Sequence, residues 1–211
     1  MYFRLPVLPP AAMRFRTFLT YLSLLPLSAC TKSCNDYDNN EEFARATLPA
    51  YSETGAGTLG CRLGPQVWTV LGKHYENRIG YPWQPNTILV EGSYSVPPYL
   101  AATGQMTGVR DSKPFYDMQI SLILRLDDTL SNVRLLGSDT ARVGAGRPFD
   151  QLQARDLLTF DGYYSRTSRP VRLLIRKFDR QQRTVSGTFA GMLYSRTDSL
   201  AVADGLFDLS Y

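Results

Sequence analysis

Histidine is almost missing from this chain: His74 stands alone among 211 residues, beside three cysteines and two tryptophans. One histidine with so few cysteines cannot build a familiar zinc set, so no metal is expected. A Ser-His-Asp triad would have to use His74, and no nucleophile elbow of the G-x-S-x-G type occurs anywhere. No catalytic residue is therefore assigned, and no cofactor. A sustained helical period with caps is also lacking. The apolar run from Phe18 to Leu27 is too short to cross a bilayer.

What stands around that run has a definite order. Arg14 and Arg16 precede it, and the small residues Ser28 and Ala29 follow, as in a secretory signal. Met13 is placed where a signal of normal length would start. Leu27-Ser28-Ala29-Cys30 looks like the bacterial lipobox, in which the cysteine thiol takes a diacylglyceryl group and cleavage falls just before it. Two or three acyl chains, palmitate among them, would then hold the chain on a membrane, since one chain alone anchors only marginally. The alternative is a soluble secreted protein with an incidental Cys30. The expected organisation is a signal peptide over 1–29, a lipidated and disordered acidic tether over 30–47, and one folded domain over 48–211. Acidic residues directly after Cys30 resemble the surface-export signal of Bacteroidota lipoproteins, so the expected address is the cell envelope, at the outer membrane, facing the periplasm or the outside.

Cleavage also removes charge. Arg4, Arg14 and Arg16 leave with the signal, so 20 of the 23 Lys and Arg remain against 19 Asp and Glu, a balance of +1. No global argument for nucleic acid survives. Lipidation of Cys30 leaves Cys34 and Cys61. The two could pair outside the cytoplasm, but Cys61 alternates with Leu59 and Leu63 and reads as a small buried thiol.

Beyond the tether the dominant period is two. Met118, Ile120, Leu122, Leu124 and Leu126 are apolar at even positions, with Asp117, Gln119, Ser121 and Arg125 between them. Similar segments run from Ile88 to Tyr94, Leu158 to Tyr164, Val171 to Phe178 and Val185 to Leu193, separated by Gly, Pro, Asn and Asp. Only Phe149 to Leu158 could hold a short helix. Many short strands without interleaved helices predict an all-β fold, a single antiparallel β-sandwich with a closed β-barrel as the alternative. In the last segment Leu200 and Val202 are apolar at even positions, whereas Phe207, Leu209 and Tyr211 are apolar at odd ones. One extra residue is needed where the parity changes, which predicts a β-bulge at Asp204-Gly205.

Three stretches carry a resemblance: Leu48 to Trp68, Val171 to Leu193 and Val202 to Tyr211. Thr58-Leu59-Gly60-Cys61, Ser186-Gly187-Thr188-Phe189 and Gly205-Leu206-Phe207-Asp208 are similar to the Thr-Phe-Gly-Cys, Ser-Gly-Thr-Phe and Gly-x-Phe-Asp motifs of a Bacteroidota lipoprotein family, a domain of unknown function. Leu59 replaces the usual aromatic. The similarity is good at both ends of the domain and thin between about 70 and 165. It implies an exported all-β lipoprotein, with glycines for bulges or close packing and aromatics for core, and it transfers no catalytic residue.

Several stretches invite a functional reading. Gly55 to Gly60 satisfies the letters of G-x-G-x-x-G, but a nucleotide site needs a strand before it and a helix after it, and neither is expected here. His74 lies among Tyr75, Glu76, Asn77, Arg78, Tyr81, Trp83, Gln84 and Asn86, a loop in which aromatics could stack on a sugar and amides could bind its hydroxyls. Tyr75, Arg78, Tyr81 and Trp83 are the candidate ligand-binding residues, and His74 itself reads as a solvated loop residue. The competing reading has Tyr81 and Trp83 capping one end of the fold. Tyr94, Pro97, Pro98 and Tyr99 form a second aromatic group. Arg166, Arg169, Arg172, Arg176, Lys177, Arg180 and Arg183 could meet anionic polysaccharide or lipid headgroups, or simply guard strand faces and edges against aggregation. Asp127-Asp128 and Asp161 fall at strand ends or turns, and no carboxylate pair is fixed at the separation glycoside hydrolysis requires. The expected function is a binding or structural module of the envelope, with a glycan or another envelope protein as partner. A carbohydrate-binding module and a hydrolase using Glu76 or His74 stand as alternatives.

Overall fold

The computed structural model describes residues 37–74, 84–93, 99–126, 133–137 and 150–211, within the unit that runs from Asn35 to Tyr211. Cys30, Cys34, Tyr75, Arg78, Tyr81, Trp83 and the Tyr94 to Pro98 group lie outside the described residues, as does the proposed signal segment.

One short helix, α1 (Asn40–Ala44), precedes a run of strands: β1 (Thr58–Leu63), β2 (Gln66–Thr69), β3 (Lys73–His74), β4 (Gln84–Pro85), β5 (Leu89–Ser93), β6 (Tyr99–Arg110) and β7 (Lys113–Arg125). The second half continues with β8 (Val133–Leu136), β9 (Gln151–Asp156), β10 (Gly162–Tyr164), β11 (Val171–Asp179), β12 (Thr184–Tyr194) and β13 (Ser199–Ser210). The chain is all-β, and every named strand pair is antiparallel. Eleven strands form one curled sheet, a half-barrel, in the order β2-β1-β13-β12-β10-β9-β7-β6-β5, with β11 and β8 branching from β12. β3 and β4 form a separate ribbon.

The curl gives two walls around one core. Leu59, Cys61, Val202, Phe207, Leu209, Leu173 and Leu193 point in from one wall, and Leu100, Met106, Ile120, Leu122, Leu124 and Leu152 from the other. Trp68 is fully buried between them, and its indole Nε1-H donates to the Met118 carbonyl at 2.9 Å, so β2 is tied across the core to β7. Just past β2, Leu71 makes a parallel bridge to Met106, and the amide of Thr107 donates to the Leu71 carbonyl at 3.0 Å. Burial also pushes the Cys61 thiol far above its usual pKa, which leaves it inert as a nucleophile.

The parity change in the last strand is a bulge, as predicted. On β13 the three steps from Val202 to Gly205 oppose two on β12, from Gly191 to Phe189, and the three from Ala203 to Leu206 oppose two on β1. The extra residue lies within Ala203 to Gly205. Asp204 sits there at φ +50°, a backbone region that Asp tolerates better than most residues.

The same register explains the resemblance motifs physically. Gly187 pairs with Phe207 and Phe189 pairs with Gly205. A Cβ on Gly187 would lie 2.2 Å from the Leu174 carbonyl oxygen and 2.9 Å from the Phe207 ring, and one on Gly205 would lie 2.4 Å from Phe189. Each aromatic therefore covers the other strand's glycine, and neither glycine has room for a side chain.

Three expectations are corrected. Residues 37–47 are not a free tether: Asn39 is buried, its side chain donating to the Thr107 carbonyl at 2.8 Å and accepting from the Val109 amide at 2.6 Å. Phe43 of α1 is buried against Phe115 and Tyr116. Asp38 adds to the docking by accepting from the Asp111 amide at 3.1 Å, and Asn40 by accepting from Arg110 Nη2 at 2.8 Å. Second, the segment from Phe149 to Leu158 contains strand β9, not a helix, with Leu152 and Ala154 buried. A short apolar run does not distinguish the two periods, and here pairing with β7 and β10 decides. Third, the strand expected from Leu158 starts only at Gly162, because residues 157–159 form a turn whose Leu158 and Thr159 amides donate to Asp156 Oδ1.

Candidate functional site

The glycine-rich stretch from Gly55 to Gly60 holds a carboxylate, but the carboxylate is the chain's own. Gly55 and Gly57 adopt φ of +76° and +68°, which turns successive amides toward the outer face of β13. There Asp208 accepts from the amides of Thr54 at 3.0 Å, Gly55 at 2.8 Å and Ala56 at 3.1 Å, and from the Ser52 hydroxyl. Burial alone would raise the Asp208 carboxyl, but these four donors outweigh it and hold the group below the usual carboxylate range. The nest of amides is thus filled, and no external phosphate is needed to satisfy it.

His74 is not a solvated loop residue. It is half-buried in β3, paired with Gln84, and its Nδ1 lies 3.1 Å from Asn86 Oδ1. Asn86 Nδ2 donates to the Leu71 carbonyl at 2.7 Å and to Thr107 Oγ1 at 2.9 Å, so Asn86 Oδ1 is the acceptor and His74 Nδ1 carries the proton. Thr107 then donates to Asp117 Oδ1 at 3.1 Å, and Gln105 Nε2 to the same oxygen at 2.7 Å. Burial raises the Asp117 carboxyl, partly offset by those two hydrogen bonds. Two residues separate the histidine from the carboxylate. The network fastens the β3-β4 ribbon to the outer face of β6 and β7, and Glu76 lies outside the described residues. Among the described residues, no group of three or more His, Cys, Asp or Glu could hold a metal ion.

The arginine-rich run divides by position. Arg172 and Arg176 are exposed on β11: Arg172 lies where the strand is flanked by both β8 and β12, whereas Arg176 lies past the end of the β8 pairing, where β12 is the partner among the described residues. Lys177 donates to the Glu53 carbonyl at 2.9 Å and helps hold the loop over β13. Arg180 packs on Phe178, 5.6 Å from the ring centre. Arg166 lines a concave surface, and Arg169 lies over the Tyr194 ring that borders it.

That surface is a cleft of about 690 Å³ over β10, within the size range of small-ligand sites. Because β10 is only three residues long, the turns at both of its ends border the same cleft: Phe160 and Asp161 on one side, Arg166 and Ser168 on the other. The turn between β12 and β13, with Arg196 and Thr197, closes the third side. Tyr164 and Tyr194 are paired across the β10-β12 seam and form the floor, while Tyr163 turns to the core. The Ser195 hydroxyl accepts from the Asp198 amide at 2.9 Å and keeps the third turn tight. Neither a family model, nor a curated protein, nor a solved structure matches this chain. The reading of the cleft therefore rests on its own chemistry.

Phe160 decides what that chemistry is for. It is 71 % exposed, and it sits at φ +63° in the β9-β10 turn. A bulky residue in this region is a true outlier and costs about 1–2 kcal/mol where glycine or asparagine would cost little. Within the domain the ring's charged neighbour is the Arg155 guanidinium, 5.9 Å from its centre. The only sequence signal was Phe160 itself, set just before Asp161-Gly162 in a turn-forming stretch. Nothing in the letters shows that its backbone is left-handed. A second groove, of about 580 Å³ beside α1, is lined by Glu41 and Arg45, which pair with each other at 3.4 Å, and presents no aromatic face.

Proposed function

We propose that this chain is a lipid-anchored, exported binding module of a bacterial cell envelope, of the Bacteroidota lipoprotein type, and that it binds a glycan in the cleft over β10. One observation carries the binding half: an exposed aromatic ring is kept at backbone expense at the mouth of a polar cleft. Strained residues of this kind concentrate at functional sites. Tyr164 and Tyr194 add ring faces, and Asp161, Ser168 and Thr197 add hydroxyl-binding groups, which suits the mixed apolar and polar faces of a sugar. The anchoring half rests on sequence, on Cys30 behind Leu27-Ser28-Ala29.

Glycan-array binding of the purified protein tests the first half. Wild type is expected to bind a restricted set of saccharides, and Tyr164→Ala to lose at least about tenfold in affinity, the effect of removing one stacking platform. Cys30→Ala is expected to move the protein from the membrane fraction to the soluble one. Wild type that binds no saccharide would instead favour a partner protein docking on β8, where Leu135 is 64 % exposed on a strand paired only with β11 among the described residues.

A further inference from the structure

The cleft presents guanidinium groups that form no ion pair with a carboxylate among the described residues. Arg166 and Arg169 both lie over the Tyr194 ring, 5.2 and 5.6 Å from its centre. Arg166 Nη2 also donates to the Ser195 carbonyl at 2.7 Å, which fixes its place without cancelling its charge. Arg196 is exposed in the adjoining turn. None of the three forms an ion pair among the described residues. The nearby carboxylates serve their own turns: Asp161 accepts from Thr159 Oγ1 at 3.0 Å, and Asp198 from the Ser199 amide at 2.7 Å.

A guanidinium laid on an aromatic face gives its π surface to the ring and keeps its N-H edge for a ligand. That edge is a planar fork matched to carboxylate oxygens. Two such groups share one tyrosine here, and a third stands beside it. We infer that the cleft recognises an anionic saccharide, a chain of uronic-acid residues, with Phe160 and Tyr164 against the sugar rings, Arg166 and Arg196 on the carboxylates, and Arg169 adding positive charge from its place over Tyr194. This rests on the glycan-binding reading above and gives it a substrate class. Three cations are too few, and the mature chain too nearly neutral, for a general nucleic-acid groove.

The test is calorimetric titration of the full mature protein with a galacturonic-acid hexamer, with the same hexamer fully methyl-esterified, and with a short oligothymidylate. The ester keeps every ring and hydroxyl and removes only the charge. The acid is expected to bind at least about tenfold more tightly than the ester, since charge-assisted bidentate contacts are lost. Arg196→Gln should weaken the acid several-fold and the ester much less, at an unchanged melting temperature, since Arg196 is exposed. Equal affinity for acid and ester would overturn the charge assignment while leaving a glycan site in place. Equal affinity for the oligothymidylate and the acid would overturn the saccharide assignment. No binding of either hexamer, together with a blank glycan array, would overturn the glycan-binding reading itself.

Discussion

Replacing Asp208 by alanine is expected to lower stability by on the order of 3 kcal/mol, because four donors lose a charged acceptor and three of them are backbone amides. For a domain of this size that is roughly 6–12 °C in Tm. The residue is 1 % exposed, so water cannot take the carboxylate's place without opening the loop over β13. Asp204 supplies the control. It faces solvent, and its ion pair with Arg62 at 3.2 Å is exposed on both sides, so Asp204→Asn is expected to change stability by less than about 1 kcal/mol. The pH dependence follows from the direction of the shift. With its folded pKa below the unfolded value of about 3.9, Asp208 contributes fully above that value. The contribution is lost as pH falls through the folded pKa, since the unfolded chain binds the proton first. Asp117 is shifted the other way. The difference between wild type and Asp208→Asn in urea melts between pH 2 and pH 6 therefore isolates Asp208: it should be large at pH 6 and shrink toward pH 2. A constant difference across that range would mean that the loop, not the carboxylate, holds the structure.

Gly187→Ala should cost a comparable amount, about 3 kcal/mol or somewhat more, by overpacking rather than by lost hydrogen bonds. The added Cβ would meet the Leu174 carbonyl oxygen at 2.2 Å, and backbone cannot rotate away as a side-chain end can. β11 and β12 would have to part at the point where Leu174 pairs with Thr188 and Ile175 with Gly187. Gly92, on β5, has no heavy atom within 4 Å of the same ideal position, so Gly92→Ala should be neutral or slightly stabilising. Thermal melts of the two variants beside wild type decide the matter. Equal small effects would mean that the Ser-Gly-Thr-Phe strand does not need its glycine.

These two variants show what could be read from letters and what could not. The strand character, the buried Cys61 and the bulge near Asp204 were legible because side-chain parity is a local property of the sequence. β6 was not, because its inward positions include Ala102 and Gly104, whose small size hides the alternation. The docked segment at Asn39 and Phe43 was not either, since a buried asparagine looks like a polar linker until its partners, Thr107 and Val109, arrive from 68 and 70 residues away. The partner of the Gly55 to Gly60 loop was hidden for the same reason: Asp208 lies some 150 residues downstream. The cleft depended on three turns meeting over a three-residue strand. Its most informative feature, the left-handed backbone of Phe160, is a torsion angle and leaves no mark in composition or periodicity.

That torsion angle also gives the decisive measurement. Asparagine tolerates the left-handed region, so Phe160→Asn removes the ring and the strain together. The melting temperature and the saccharide affinity of this variant should be measured beside those of wild type. A site retained for binding predicts an unchanged or raised melting temperature, by up to about 4 °C for 1 kcal/mol of relieved strain, together with loss of saccharide binding. A lowered melting temperature with binding intact would contradict it, and would make Phe160 part of the scaffold.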